Sequence, residues 1–370
     1  MGPVAPAACV GTAHAGVSAA PHHPPETLSA IFRRLIRSHG PISLQHYIGE
    51  SNARYYADAD PLGARGDFVT APEISQMFGE LIGLWLADMW IRAGRVQPVE
   101  YVELGPGRGT LARDALRAAR QYGLQPDVHF VEGSAALAQS QSANVPDAHW
   151  HADLTSVPPD APLLIVANEF IDALPIRQLV RTEGGWREVM VGLEEDRFVP
   201  LAGDKPMDAA VPEALRDAEE GTVIETCPGA AAIVHEIAGR LAAQGGCALL
   251  IDYGHTHART GSTLQAIKSH TKVDPFATPG EADLTAHVDF AALAPIVRSR
   301  GCRVLGTVTQ GHFLRQLGIE MRARTLAEGA PDRRELLHAA KDRLIGESQM
   351  GTLFKVMGLA APTWPDGAGF

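Results

Sequence analysis

The run Glu103-Leu104-Gly105-Pro106-Gly107-Arg108-Gly109-Thr110 constrains the fold of this chain more than any other feature. It follows a short apolar segment, Val99 to Glu103, and opens a helical pattern from Thr110 to Tyr122. A strand, a glycine-rich turn and a helix in that order make a ligand loop. Glycines let backbone N–H groups approach a ligand without Cβ interference, and the helix start adds partial positive charge. A dinucleotide fingerprint requires Gly-x-Gly-x-x-Gly, and position 110 is Thr. The spacing therefore speaks against NAD, although an NAD-dependent oxidoreductase stays open as an alternative.

Around this loop, short apolar runs alternate with helical periodicity, the sequence form of a parallel sheet with helices on its faces. Strands are expected at Val99 to Glu103, Val128 to Glu132, Ala148 to His151, Leu163 to Ala167 and Ala248 to Asp252. Arg303 to Val308 and Thr352 to Met357 complete a Rossmann-like α/β sheet of seven, five of them mostly parallel and the last two forming a reversed edge. Helices are expected from Thr27, from Ser75 to Ala93 with Trp85 and Trp90 as packing residues, and from Ala230 to Ala243. The chain then divides into a disordered tail (1–25), a helical N-terminal lid segment (26–97), the main domain (98–359) and a second tail (360–370). Insertions fall at about 178–225, with a hairpin signal at Gly184-Gly185, at about 254–290, and at about 318–350.

Charge and cysteine usage exclude other classes. With 43 Asp and Glu against 32 Lys and Arg, a net −11, the chain would repel a nucleic-acid backbone. Cys9, Cys227, Cys247 and Cys302 are scattered, so neither a disulfide framework nor a cysteine zinc site is expected. No apolar run approaches the roughly 20 residues of a membrane span. The first 25 residues have neither a basic n-region nor the arginines of a mitochondrial presequence, and a cytoplasmic, bacterial protein is the expectation.

Two further strand ends carry acids. Glu132 ends Phe130-Val131-Glu132, where a carboxylate can accept both ribose hydroxyls. Asp153, in His151-Ala152-Asp153-Leu154, suits an adenine amine, with the Leu154 N–H facing the ring.

The pattern Glu-x-Gly-x-Gly-x-Gly resembles the first motif of class I S-adenosylmethionine-dependent methyltransferases. The resemblance becomes specific in Gly66-Asp67-Phe68-Val69-Thr70-Ala71-Pro72-Glu73-Ile74-Ser75-Gln76 and Ala167-Asn168-Glu169-Phe170-Ile171-Asp172-Ala173-Leu174-Pro175. Asp252-Tyr253-Gly254-His255, Ala282-Asp283-Leu284-Thr285-Ala286-His287-Val288-Asp289-Phe290 and Gln310-Gly311-His312-Phe313-Leu314 extend it. Together these runs resemble the MidA-like methyltransferases, from about Thr27 to Leu359. That family includes a mitochondrial complex I assembly factor that methylates a protein arginine. The resemblance implies S-adenosylmethionine as cofactor, held by Glu103, Gly105, Gly107, Gly109, Glu132, Asp153, Leu154, Asn168 and Thr70. It also implies a protein substrate, with a respiratory complex I subunit as one candidate. A non-catalytic assembly protein that keeps the fold is the rival from another class.

If the acceptor is a guanidinium, carboxylates are needed to hold its N–H groups. Glu169 and Asp172, after the fourth strand, are the first candidates as catalytic groups. Asp283 and His287 are the second, four apart and so expected on one helical face. His255 and His257 lack a third ligand nearby, and no metal site is expected. Thr70 and Glu73 are expected to close over the cofactor.

Overall fold

The computed structural model describes residues 1–2, 26–58 and 70–370. Almost all of the expected N-terminal tail, and Gly66 to Val69 of the first family run, therefore lie outside the described residues.

Chain order begins with helices α1 (Leu28–His39) and α2 (Leu44–Asp58), then α3 (Gln76–Arg92). The Thr27 hydroxyl caps α1 by accepting the Ala30 N–H at 3.3 Å, and its apolar stripe buries Phe32 and Ile36. Helix α2 is absent from the sequence expectations. The alternating part follows: β1 (Glu100–Leu104), α4 (Thr110–Arg120), β2 (Asp127–Val131), α5 (Ala135–Asn144), β3 (His149–His151) and β4 (Leu163–Asn168). Helix α6 (Pro228–Gln244), β5 (Gly246–His255), α7 (Phe290–Ser299), β6 (Arg303–Thr309) and β7 (Phe354–Ala360) complete the framework.

The strands lie in the order β6-β7-β5-β4-β1-β2-β3. Strands β1 to β5 run parallel, and β7 is antiparallel to both β5 and β6. Only β7 is therefore reversed, which corrects the expectation of a two-strand reversed edge. Helix α7 carries the chain from β5 to β6, and a helical crossover returns a strand parallel to its predecessor. β7 enters later, after the helices Ile319–Gly329 and Arg334–Ile345, and fills the slot between β5 and β6 from the other direction. Every residue of β4 is buried, as a strand covered on both faces requires.

Helix α3 packs into this core with Trp85 and Trp90 both buried. Its approach to α4 depends on glycine: a Cβ at Gly83 would stand 2.1 Å from the Ala115 carbonyl oxygen, and one at Gly79 would stand 2.8 Å from the Asp114 Cβ. The residues read as a second tail also pack here. The Trp85 indole donates to the Ala368 carbonyl at 3.0 Å, and the Phe370 ring lies 5.2 Å from that of Phe313.

Two insertions form sheets of their own. Ile42–Ser43, Arg177–Thr182, Gly185–Glu194, Arg197–Pro206 and Val223–Thr226 make a five-stranded antiparallel sheet, with the expected hairpin pairing Thr182 against Gly185. Gln265–Lys268, Thr271–Val273 and Asp283–Thr285 make a three-stranded one. Asp283 thus lies on a strand and His287 beyond its end, which corrects the expectation that the two share a helical face. Antiparallel pairing of Asp283 to Thr285 with Gln265 to Ile267 fixes that geometry.

Gly83→Ala should destabilise the protein by ~1–3 kcal/mol through overpacking at the α3–α4 crossing. Gly329→Ala, whose added Cβ meets nothing within 4 Å, should leave the urea midpoint unchanged or higher. Equal midpoints for Gly83→Ala and the wild type would contradict the close crossing.

Candidate active site

The turn after β1 holds three left-handed glycines, with φ of 62° at Gly105, 55° at Gly107 and 77° at Gly109. Gly105 is needed twice over, because a Cβ there would also stand 2.7 Å from the Phe170 ring. The turn forms one wall of a cavity of about 220 Å³, with Glu103, Glu132, Asn168, Glu169, Phe170 and Thr70 among its lining residues. Thr70, Pro72 and Glu73 bring the N-terminal segment to this wall, and the Thr110 hydroxyl donates to Glu73 at 2.5 Å.

Glu103 is buried beneath the turn and accepts the Tyr101 hydroxyl proton at 2.6 Å. Burial pushes its carboxyl up to about 8, against the smaller opposing effect of that bond. Glu132 accepts the Ser134 N–H at 2.7 Å on one oxygen and the Gln141 amide at 3.0 Å on the other. Burial raises its pKa while these bonds resist.

Asp153 is placed differently from the sequence expectation. It is exposed, and its carboxylate caps the turn Leu154–Ser156 by accepting the Thr155 N–H at 3.0 Å and the Thr155 hydroxyl at 2.5 Å. The Thr155 hydroxyl bond is the largest cause of its lowered pKa. Leu154 is buried, with its carbonyl accepting Arg240 at 2.5 Å. Neither residue is among those lining this cavity, and the capping bonds of Asp153 all fall on its Oδ1.

The turn after β4 gathers the acids. Asn168 is buried, and its Oδ1 has no hydrogen-bond partner. Glu169 follows with a left-handed φ of 51°, and its Oε1 accepts the Ala71 N–H at 3.0 Å and the Asn168 amide at 3.2 Å. Burial pushes its carboxyl up to about 7. Asp172 is buried beside the Tyr253 hydroxyl, which hydrogen-bonds it, and burial pushes it up to about 6. Asp252, at the end of β5, accepts the N–H groups of Ile171 at 3.0 Å and Asp172 at 3.1 Å. Burial first, then the charges of Asp172 and Glu169, hold it far above the ordinary carboxylate range.

Asp283 is buried behind this turn, where the Tyr56 hydroxyl donates to it at 3.0 Å. His287 lines a different cavity, of about 200 Å³, with its ring edge-on to Tyr253 at 5.5 Å. Burial lowers its pKa. It is not among the residues lining the cofactor cavity. Among the described residues, no group of three or more His, Cys, Asp or Glu is arranged to hold a metal.

Two contributors escaped the sequence reading. Tyr56 lines the cavity from α2, a helix without a clean apolar period. Gln141 carries no signal of its own, being one of two glutamines among small residues in α5. Glu132, the glycines and the orphaned Asn168 oxygen nevertheless suit adenosine with a methionine-like tail: a carboxylate for paired hydroxyls, a close backbone approach, and an acceptor awaiting an N–H.

Comparison with known proteins agrees with that fit. Residues 81–308 match the profile of a family described as "Putative S-adenosyl-L-methionine-dependent methyltransferase". The protein arginine methyltransferase NDUFAF7, mitochondrial, of Mus musculus is 35% identical over 88% of this chain and 82% of that protein. Its Homo sapiens counterpart is 34% identical over 88% of this chain and 81% of that protein. A Burkholderia thailandensis crystal structure with bound S-adenosyl-homocysteine superposes with a TM-score of 0.77 and 29% identity, covering 90% of this chain and 91% of that one. Motifs, sheet and cavity thus converge, and the chain belongs to the MidA-like family of S-adenosylmethionine-dependent methyltransferases.

Proposed function

We propose that this methyltransferase modifies the guanidinium of a protein arginine, with Glu169 and Asp172 orienting the acceptor. One observation carries the reading: the buried Asp172 and Asp252 stand beside the half-buried Glu169, and among the described residues none of the three has a Lys or Arg within ion-pair distance. Buried carboxylates are costly unless paired, so the site is built for a cation that arrives from outside. An arginine side chain supplies a planar cation with N–H groups in a fork that matches a carboxylate. Relatives named as protein arginine methyltransferases support the same acceptor. A respiratory complex I subunit is the substrate that the family resemblance implies.

When bound, S-adenosylmethionine supplies an electrophilic methyl group on a sulfonium. The chain's own residues do the rest. Glu169 has one oxygen committed to Ala71 and Asn168, and the other has no partner among the described residues, leaving it for a guanidinium N–H. With its carboxyl pushed up to about 7, it also suits the proton that the guanidinium releases on methylation. Asp252 holds the turn, and Asp172 adds negative potential behind Glu169.

Glu169→Gln should bind S-adenosylhomocysteine as the wild type does, while methyl transfer to protein extract falls by roughly 10²-fold or more. Unchanged transfer would remove Glu169 from the reaction. Tight cofactor binding without any transfer by the wild type would favour the rival, a scaffold that keeps the fold.

The same substitution tests the electrostatics. A carboxyl raised in the folded state holds its proton while the unfolded chain has lost it, so its stabilising contribution is complete at low pH and declines as pH rises towards about 7. Relative to wild type, Glu169→Gln should therefore gain ~1–3 kcal/mol between pH 5 and 8, read as a difference in denaturant midpoints. No change in that difference with pH would contradict a Glu169 carboxyl raised by its surroundings.

A further inference from the structure

Helix α5 meets the glycine turn through amide side chains. Gln141 is fully buried, and its Nε2 donates to Glu132 Oε2 at 3.0 Å and to the Gly107 carbonyl at 2.8 Å. Its Oε1 accepts the indole N–H of Trp150, on β3, at 2.7 Å. Asn144, one turn further along α5, donates to the Arg108 carbonyl at 2.8 Å. The carbonyls on this side of the turn are thus occupied from below.

A glutamine amide can be turned end for end, but an indole N–H can only donate. Trp150 therefore decides which end of Gln141 faces the carboxylate. With the oxygen taken by Trp150, the NH₂ group points at Glu132 and the turn. Reversed, the amide oxygen would face the carboxylate and the Gly107 carbonyl, three acceptors without a proton between them. Trp150 is 37% exposed on a short edge strand, and its ring packs edge-on against Phe130 at 6.2 Å, so a test of its N–H must keep an aromatic ring there.

We infer that Trp150 and Gln141 are positioning residues for the cofactor, a relay that fixes the orientation of the Glu132 carboxylate and of the glycine turn. Neither residue touches the ligand in this account. The inference rests on the reading of Glu132 as the acceptor for the ribose hydroxyls. Titratable groups near the relay are Glu132 itself, Arg108 on the turn, and Arg113, which donates to Asn144 at 3.1 Å. His149 and His151 alternate with Trp150 along β3 and face the other side of the sheet, where both rings lie near His129.

The test is calorimetric titration of the full-length protein with S-adenosylhomocysteine from pH 5.5 to 8.5, for the wild type, Trp150→Phe, Gln141→Glu and Glu132→Ala. Trp150→Phe keeps the ring and loses the donor, and affinity should fall by roughly three- to tenfold, the size of one hydrogen bond that orients a charged partner. Gln141→Glu carries the sharper signature. Its protonated carboxyl can still donate to Glu132, whereas its ionised form repels it. Affinity should stay near wild type at the acid end and fall by at least roughly tenfold more than the wild type's as pH rises. Recovery on acidification also shows that the variant is folded, which a merely structural defect would not reproduce. Wild-type affinity across the pH range in both Trp150→Phe and Gln141→Glu, with Glu132→Ala weakened, overturns the relay alone. Wild-type affinity in Glu132→Ala overturns the ribose reading and the relay with it.

Discussion

Asp252 receives the amide protons of Ile171 and Asp172, and that pair of buried bonds holds the turn on which Asn168, Glu169 and Asp172 are displayed. The arrangement places acids from β4 and β5 against each other, and among the described residues no Lys or Arg lies within ion-pair distance of Glu169, Asp172 or Asp252, the Arg343 charge acting on Glu169 only from further off. Each carboxyl is pushed upward by burial, and Asp252 and Glu169 are pushed further by their acidic neighbours. Such a cluster lowers the stability of the empty protein at neutral pH, and a cationic partner relieves that cost. Stability and function pull in opposite directions at this turn, as they commonly do at sites that must recognise charge.

The inserted elements are what keep this turn in place. The Asn52 amide on α2 donates to the carbonyls of Ala173 at 2.9 Å and Leu284 at 2.8 Å, and its oxygen accepts the Leu284 N–H at 3.0 Å. One buried side chain therefore joins the N-terminal helices, the three-stranded insertion and the acidic turn. The Ala286 N–H reaches back to the Asp172 carbonyl at 3.0 Å from the same insertion. What reads in the sequence as extra loop length is thus the support of the acidic turn. The Rossmann-like sheet alone would leave that turn exposed to water, where its carboxylates would titrate as ordinary surface acids.

Much of this was legible beforehand, and for physical reasons. Apolar runs bounded by turn residues marked the seven strands of the main path, most clearly the buried β4 and β5, because strands covered on both faces must be largely apolar. Gly105, Gly107 and Gly109 announced a backbone that only glycine adopts easily, and Glu132 stands at a strand end where position alone predicts its neighbourhood. Helix α2 was hidden because Gly49, Ser51 and Asn52 interrupt its apolar spacing, and Tyr56 was hidden with it. At Asp153 a strand end says where a residue lies and not which further partners it takes, and the capping bonds from Thr155 and Ser156 were not legible. Asp283 and His287 misled because a spacing of four is helical only if the segment is a helix, and pairing with Gln265 to Ile267 made it a strand. The direction of β6 followed from its connection and not from its residues.

The account stands or falls on the chemistry of the acceptor. The most direct measurement is to incubate the purified protein with isotopically labelled S-adenosylmethionine and a protein extract, and to map the labelled positions by mass spectrometry. Methyl groups on arginine side chains of one or a few proteins are the predicted result. Labels confined to lysine or to small molecules would contradict the account, since neither acceptor presents the forked cation that the proposal assigns to Glu169 and Asp172.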